Sequence, residues 1–220
     1  MKRTSTALLL TLALATPAMA QDSISKVNGS VQANAGQTYG DLETVNGSIN
    51  IEDNATTRGA STVNGGISVG NGAKTAGLET VNGGIKAGGK VQVDGDVETV
   101  NGGIFFDRGS RIRDDISTVN GGIGLVGTDV GGGIETVAGD ITVGVDSHVK
   151  GGIKVEKPKG NFNFNANKRP PRIVIGPNAV VEGPLVFERE VVLYVHASAK
   201  TGAITGATAK RFDTATAPQD

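Results

Sequence analysis

Residues 78–85 read Leu-Glu-Thr-Val-Asn-Gly-Gly-Ile, and this stretch returns along the chain with little change. The triplet Val-Asn-Gly at its centre begins at Val27, Val45, Val63, Val81, Val100 and Val119. A degenerate copy, Val-Ala-Gly, begins at Val137, and successive copies start 18, 18, 18, 19, 19 and 18 residues apart. A short fixed period is typical of repeat proteins, in which each unit stacks on the unit before it.

Apolar residues frame every triplet. The leading apolar position holds Ile24, Leu42, Ala60, Leu78, Val97, Ile116 and Ile134. The position after the triplet and one small residue holds Val31, Ile49, Ile67, Ile85, Ile104, Ile123 and Ile141. Val, Ile and Thr favour strands, whereas Asn-Gly favours a tight turn. A hairpin meander does not require identical residues at equivalent positions. A stack of coils does, because each residue then lies about 4.8 Å above its equivalent in the preceding coil.

The sequence therefore predicts an all-β fold, a single-stranded parallel β-helix (β-solenoid) with about 9–10 coils of 18–19 residues. Its 34 glycines are expected mainly at corners, where a Cβ atom would clash with the coils above and below. Alternation points Ile49 and Ile51 inward and Asn50 outward. The facing of Thr44 and Val45 stays open, because a strand that runs into a corner does not keep strict alternation.

The asparagines of the triplets are predicted to stack as an amide ladder at one corner, each side chain bonding its neighbour and the local backbone. This structural ladder consists of Asn28, Asn46, Asn64, Asn82, Asn101 and Asn120.

The chain divides into three parts. Residues 1–20 combine Lys2 and Arg3, an apolar stretch over 7–15 and a small-residue site ending at Ala20, the pattern of a secretory signal peptide cleaved after Ala20. The protein is therefore expected in the periplasm or outside the cell. Residues 21–206 form the predicted solenoid, interrupted by an irregular basic loop over 154–172, and 207–220 is expected to be a disordered tail. No other stretch is apolar enough for a transmembrane span.

Composition argues against catalysis and cofactors. The chain has no cysteine and only two histidines, His148 and His196, each alone in a strand-like context. No aspartate recurs at the fixed offset that calcium-binding repeats require. The recurring Glu43, Glu79, Glu98 and Glu135 are interpreted as a solvated face, with a cation or glycan groove as the alternative. A single Thr per coil matches ice-binding arrays poorly. We therefore expect no enzymatic activity, no metal and no cofactor.

The basic segment over 150–172 carries seven Lys or Arg against one Glu, whereas the predicted mature chain has a net charge of −3. An anionic envelope polysaccharide or another anionic surface is the partner such a segment could contact. The residues predicted for this contact are Lys154, Lys157, Lys159, Lys168, Arg169 and Arg172. Nucleic acid is not an expected partner of an exported protein.

Two local patterns carry a family resemblance. Residues 69–73 with Gly77, and residues 175–183, resemble the aliphatic-Gly-x-x-Ala turn pattern of bactofilins, which are polymer-forming bacterial β-helices. The Val-Asn-Gly-Gly-Ile array also resembles exported, adhesin-like β-solenoid proteins of Gram-negative bacteria. Both resemblances imply a solenoid with a structural role, and the resemblance to bactofilins implies a right-handed one. The signal peptide departs from the cytoplasmic bactofilins.

These observations predict a non-enzymatic exported scaffold. Little chain separates the predicted cleavage site from the first coil, and an uncapped solenoid end presents unpaired backbone groups. The sequence therefore predicts end-to-end self-association. The alternative is a glycan- or surface-binding, adhesin-like module that uses a solenoid face or the basic loop.

Overall fold

The computed structural model describes residues 22–158 and 169–219, and in these ranges the chain winds as a parallel β-solenoid of about nine turns with no helix. The predicted fold class is confirmed. The signal peptide and most of the basic loop fall outside the described residues, and handedness stays a prediction.

Three parallel sheets form the walls. Sheet one precedes the Asn-Gly corner and contains Ile24–Asn28, Asp41–Asn46, Gly59–Asn64, Leu78–Asn82, Val97–Asn101, Ile116–Asn120, Ile134–Thr136, Ile153–Val155, Leu185–Phe187 and Ile204–Thr205. Sheet two follows the corner and contains Val31–Ala33, Ile49–Ile51, Ile67–Val69, Ile85–Ala87, Ile104–Phe106, Ile123–Leu125, Ile141–Val143, Arg172–Ile175, Val192–His196 and Ala209–Phe212.

Sheet three closes each coil with strands of only two residues. They are Lys74–Thr75, Gln92–Val93, Arg111–Ile112, Asp129–Val130, His148–Val149, Val180–Val181 and Lys200–Thr201. Isolated bridges from Thr38 to Thr56 and from Thr56 to Lys74 carry the same wall into the first coils. The polar stretches between repeats thus complete a third wall, which the sequence pattern did not specify.

Repeat residues lie in register from coil to coil. Leu78 pairs with Val97, and Asn82 pairs with Asn101. Leading apolar residues such as Leu42 are buried. The first and third residues of each three-residue strand of sheet two, such as Ile49 and Ile51, are buried as well. Identical positions therefore stack into continuous apolar columns, which form a single core along the axis.

The facing of Thr and Val is now defined: Thr44 is buried, and Val45 is 41% exposed. Alternation simply continues to the corner, so Leu42 and Thr44 point inward while Glu43 and Val45 point outward.

The triplet glycine allows the corners to approach closely. A Cβ atom on Gly83 would overlap the carbonyl of Gly65, and one on Gly102 would overlap the carbonyl of Gly83. The next position is more tolerant, because it holds serine in two coils, at Ser30 and Ser48. Stacking thus forbids a side chain at the first glycine of every such corner that follows another coil, from Gly47 to Gly139.

Two boundaries predicted from the sequence differ from the structure. Lys154 lies within a sheet-one strand and Arg172 begins a sheet-two strand, so the irregular segment is shorter than 154–172. The disordered tail predicted over 207–220 was wrong for Ala209–Phe212, which pairs with Val192–His196. Phe212 stabilises this last strand, since its ring is buried on the outer face of sheet two.

Candidate interaction surfaces

The six predicted asparagines lie in one row at the corner after sheet one. Each Nδ2 donates to the Oδ1 of the preceding coil over 2.9–3.1 Å, from Asn46→Asn28 through Asn120→Asn101. Five of the six side chains are exposed, and Asn120 is half-buried. The row therefore satisfies its own amides along the axis, which is the behaviour of a structural ladder.

Buried threonines hold the corner from inside. Thr44 Oγ1 donates to the carbonyl oxygen of Gly29 over 3.0 Å, and the same bond recurs from Thr62, Thr80, Thr99 and Thr118. Each hydroxyl thus satisfies the carbonyl of the preceding coil's first glycine. Thr57 lies in a different column, and its buried Oγ1 finds no hydrogen-bond partner among the residues that the structure describes.

The valines of the triplets form an outward row beside the asparagines, which we call the valine ridge. It comprises Val27, Val45, Val63, Val81, Val100, Val119 and Val137. Exposure is 67% at Val27 and 39–41% at Val45, Val63 and Val100, and the other three are half-buried. Sequence reasoning left this surface undefined because the facing of Thr and Val was open.

The outward column two residues before the ridge is polar in all seven coils. It holds Ser25, Glu43, Ser61, Glu79, Glu98, Ser117 and Glu135. Partial burial, with Asp96, Glu79 and Asp115 nearby, raises the pKa of Glu98 above its ordinary value. No three His, Asp or Glu side chains within 22–158 and 169–219 are grouped so as to hold a metal ion.

Among the described residues, those predicted to contact an anionic partner do not form one patch. Lys159 and Lys168 lie outside the described residues. Lys154 Nζ donates to Glu156 Oε1 over 2.6 Å and lies 3.7 Å from Glu188 Oε1. This hydrogen bond raises the pKa of Lys154. Lys154 is therefore already paired on the outer face of sheet one.

The arginines of the same set lie beside another wall. Arg169 forms a two-pronged ion pair with Asp140 at 2.5 and 3.1 Å. The Arg172 guanidinium lies 4.9 Å from the centre of the Tyr194 ring and donates to the Pro218 carbonyl over 2.6 Å. These contacts hold the tail and the end of the irregular segment against sheet two.

Both histidines have ordinary surface partners. His148 Nε2 lies 2.6 Å from Glu182 Oε1, and His196 Nδ1 lies 2.8 Å from Ser198 Oγ. His196 also packs edge-on against Phe212. Each histidine thus has contacts that explain its position without a catalytic role.

A shallow groove of about 520 Å³ crosses the outer face of sheet two. Its lining includes the backbone of Gly84 and Gly103, the side chains of Lys86 and Thr142, and Phe105, which is 37% exposed. Phe105 leans toward Gly124, where a Cβ atom would lie 3.3 Å from the ring. This is a second surface with exposed apolar character.

The two terminal coils break the columns that run through the rest of the rod. Lys26 lies in register with the buried Thr44, and Arg211 lies in register with the buried Val195. Both cations are exposed. Sequence reasoning missed them, although an alignment of the repeats does place Lys26 in the threonine column.

The sequence-based expectation of an uncapped end assumed that the core of the first coil is bare. The structure shows that core residues of this coil are buried. Val31 and Ala33 are 0% exposed and Tyr39 is 6% exposed, while Ile24 is half-buried. The Tyr39 hydroxyl accepts a hydrogen bond from the Asn34 amide at 3.1 Å, which ties the ring across the start of the coil.

Within the described ranges, no helix is both long and apolar enough to cross a membrane. Comparison of the chain with protein-family models, curated proteins and solved structures finds no match. The resemblance to bactofilins and adhesin-like solenoids therefore rests on the turn patterns and on the coil architecture alone.

Proposed function

We propose that this chain is a non-enzymatic structural protein, a stiff rod that associates weakly side by side with other copies through the valine ridge. The observation that carries the proposal is the ridge itself, because seven successive coils place valine at an outward position. In the neighbouring outward column, the same coils hold only Ser or Glu. The predicted signal peptide assigns this role to the periplasm or the cell exterior.

The other repeated residues have contacts that explain them. Threonine hydroxyls bond glycine carbonyls, asparagines bond asparagines, and the first glycine permits close stacking. Threonine shares the branched shape and the strand preference of valine, so solvent exposure alone would favour it at the ridge. A uniform exposed apolar row instead supports a contact surface.

The geometry also sets the strength of this contact. The ridge exposes less than the roughly 800 Å² per partner that a stable complex buries. A second ridge has the same spacing of about 4.8 Å per coil, so two copies match coil for coil. The expected association is therefore specific in register, weak and dependent on concentration.

Sedimentation equilibrium over a wide concentration range tests the proposal. The wild type should show a reversible dimer, and V45T/V63T/V100T should remain monomeric. The matched control S25T/S61T/S117T places the same number of threonines on the polar column and should behave as wild type. A wild type that stays monomeric, or association unchanged by the valine substitutions, would overturn the proposal.

One observation favours a second candidate, saccharide binding on sheet two. The exposed Phe105 ring beside Lys86 and Thr142 offers an apolar platform with polar neighbours. Titration with neutral and acidic oligosaccharides should then give binding that F105A abolishes. Binding unaffected by F105A would contradict this candidate and leave the ridge proposal untouched.

A further inference from the structure

We propose that Lys26 and Arg211 block the two ends of the rod and prevent copies of this chain from stacking end to end. The surfaces concerned are the outer faces of the first and last coils, and the partner excluded is a second copy. The inference rests on the column registers and is independent of the valine ridge.

At the first coil, the threonine column ends in a cation. Five residues of this column, from Thr44 to Thr118, each bond a glycine carbonyl of the preceding coil from a buried position. Lys26 takes the next place in the column, is exposed, and donates from Nζ to the Ser30 carbonyl over 2.7 Å. The ammonium group thus turns out of the core toward the corner.

At the last coil, an apolar column of sheet two ends in a cation. The column contains Ala33, Ile51, Val69, Ala87, Phe106, Leu125, Val143, Ile175 and Val195, and all nine are buried. Arg211 follows Val195 in register and is exposed. The described part of the tail does not lie over this column, since Ala217 packs on the outer face beside Val174 and Tyr194.

Other features of the first coil would permit another coil to stack on its corner. No atom lies within 4 Å of a Cβ position on Gly29, and Asn28 Nδ2 has no partner among the described residues. Ile24 is only half-buried. The corner and sheet one of the first coil would therefore permit stacking, and Lys26 is the feature of that wall that opposes it.

The opposition is a desolvation cost. A coil stacked on either end would enclose Lys26 or Arg211 against an apolar or hydroxyl column without an anionic partner in that column. Burying an unpaired charge is strongly unfavourable, and inward-pointing charges are a known protection for exposed strand edges. The long side chains can bend outward, which preserves the fold of the monomer while hindering close stacking.

The test restores the column residues at both ends. K26T/R211V gives the first coil the threonine of the other coils and gives the last coil a valine like Val195. We expect this variant to form rods several times the monomer length, seen by electron microscopy and as a rising sedimentation coefficient. The charge-preserving control K26R/R211K should form no such rods.

K26A/R211A removes the charges with smaller side chains and serves as the second variant if K26T/R211V folds poorly by circular dichroism. Each single variant should yield at most end-to-end dimers, since one end stays blocked. Variants that keep the hydrodynamic size of the wild type at all concentrations would overturn the inference. End-to-end rods in the wild type or in K26R/R211K would also overturn it. Loss of side-by-side pairing alone would bear only on the ridge.

Discussion

The coils over 24–139 and those over 153–212 share one backbone register but are stabilised by different contacts. The first region repeats short polar bonds at its corner: threonine to glycine carbonyl and asparagine to asparagine. The described residues of the second region form no asparagine ladder, and Val155 and Phe187 occupy the column that threonine fills in the first.

The second region compensates with larger side chains and long-range pairs. Tyr194 packs edge-on against Phe212 at 6.4 Å, while Arg172 and Lys210 both lie over the Tyr194 ring. The Arg169–Asp140 ion pair adds a polar contact between distant segments. The difference teaches that inward apolar columns define the coil, whereas the asparagine–threonine corner is one of two ways to close it.

The largest effect should come from the glycine corner of the first region. Gly102→Ala places a Cβ atom against the Gly83 carbonyl, so we expect a loss of about 3 kcal/mol or more in the free energy of unfolding. The matched change Gly103→Ala meets the Gly122 carbonyl at 3.2 Å and should cost less than about 1 kcal/mol. Urea unfolding measures both, and equal losses would contradict the stacking argument.

The aromatic cluster of the second region should give the next effect. Tyr194→Ala removes a ring that is 6% exposed and that anchors Phe212, so we expect a loss of about 2 kcal/mol. Hydrogen exchange should show Ala209–Phe212 opening first. Thr142→Ala changes an exposed residue of the same outward column and should leave exchange unaltered; protection retained in Tyr194→Ala would show that the cluster does not hold the strand.

Substitution of two buried threonines should change the stability by smaller amounts, and only one of the two changes should be a loss. Thr80→Val removes the hydroxyl that donates to the Gly65 carbonyl over 2.9 Å, so stability should fall by about 1 kcal/mol. Thr57→Val removes a buried hydroxyl that has no partner in the described part of the chain, so stability should stay equal or rise. Calorimetric melting of both variants checks the signs, and a stabilised Thr80→Val would contradict the role given to the corner bond.

The asparagine ladder should contribute less, because its amides are exposed. Asn82→Ala interrupts the bonds to Asn64 and Asn101, and we expect a loss of about 0.5–1 kcal/mol. Asn50→Ala, at an exposed position outside the ladder, is the control. A ladder variant indistinguishable from this control in urea unfolding would assign the asparagines a role other than stability.

The smallest effect concerns Glu98. Its pKa is raised in the folded state, so folding favours the protonated form, and the charged form reduces stability once the pH exceeds the unfolded pKa. Glu98→Gln should therefore raise the melting temperature slightly at neutral pH, since water screens this exposed side chain, and should have no effect below about pH 4. Glu43→Gln, flanked in its column by serines, is the matched control for the loss of one outward carboxylate.

Much of this fold could be predicted because the repeat fixes the columns. Leu42, Ile49 and Ile51 face inward as alternation requires. Sheet three could not be predicted, since strands such as Lys74–Thr75 pair only two residues within polar stretches. The strand at Ala209–Phe212 was missed because one aromatic residue among small and polar neighbours gives no periodic signal.

The candidate surfaces were less predictable than the fold. The asparagine row could be identified from spacing, but the valine ridge required the actual facing at the corner. The basic residues looked like one patch because they are close in sequence, yet Lys154 and Arg172 lie on different sheets. Charge density along a chain does not locate charge around a solenoid, where neighbouring residues occupy separate walls.

Electron microscopy of the purified wild-type protein tests the central claim most directly, because it distinguishes lateral from axial contact in one image set. The account predicts short rods of uniform length, single at low concentration and increasingly paired side by side as the concentration rises. Filaments or rods that are multiples of the monomer length would contradict it.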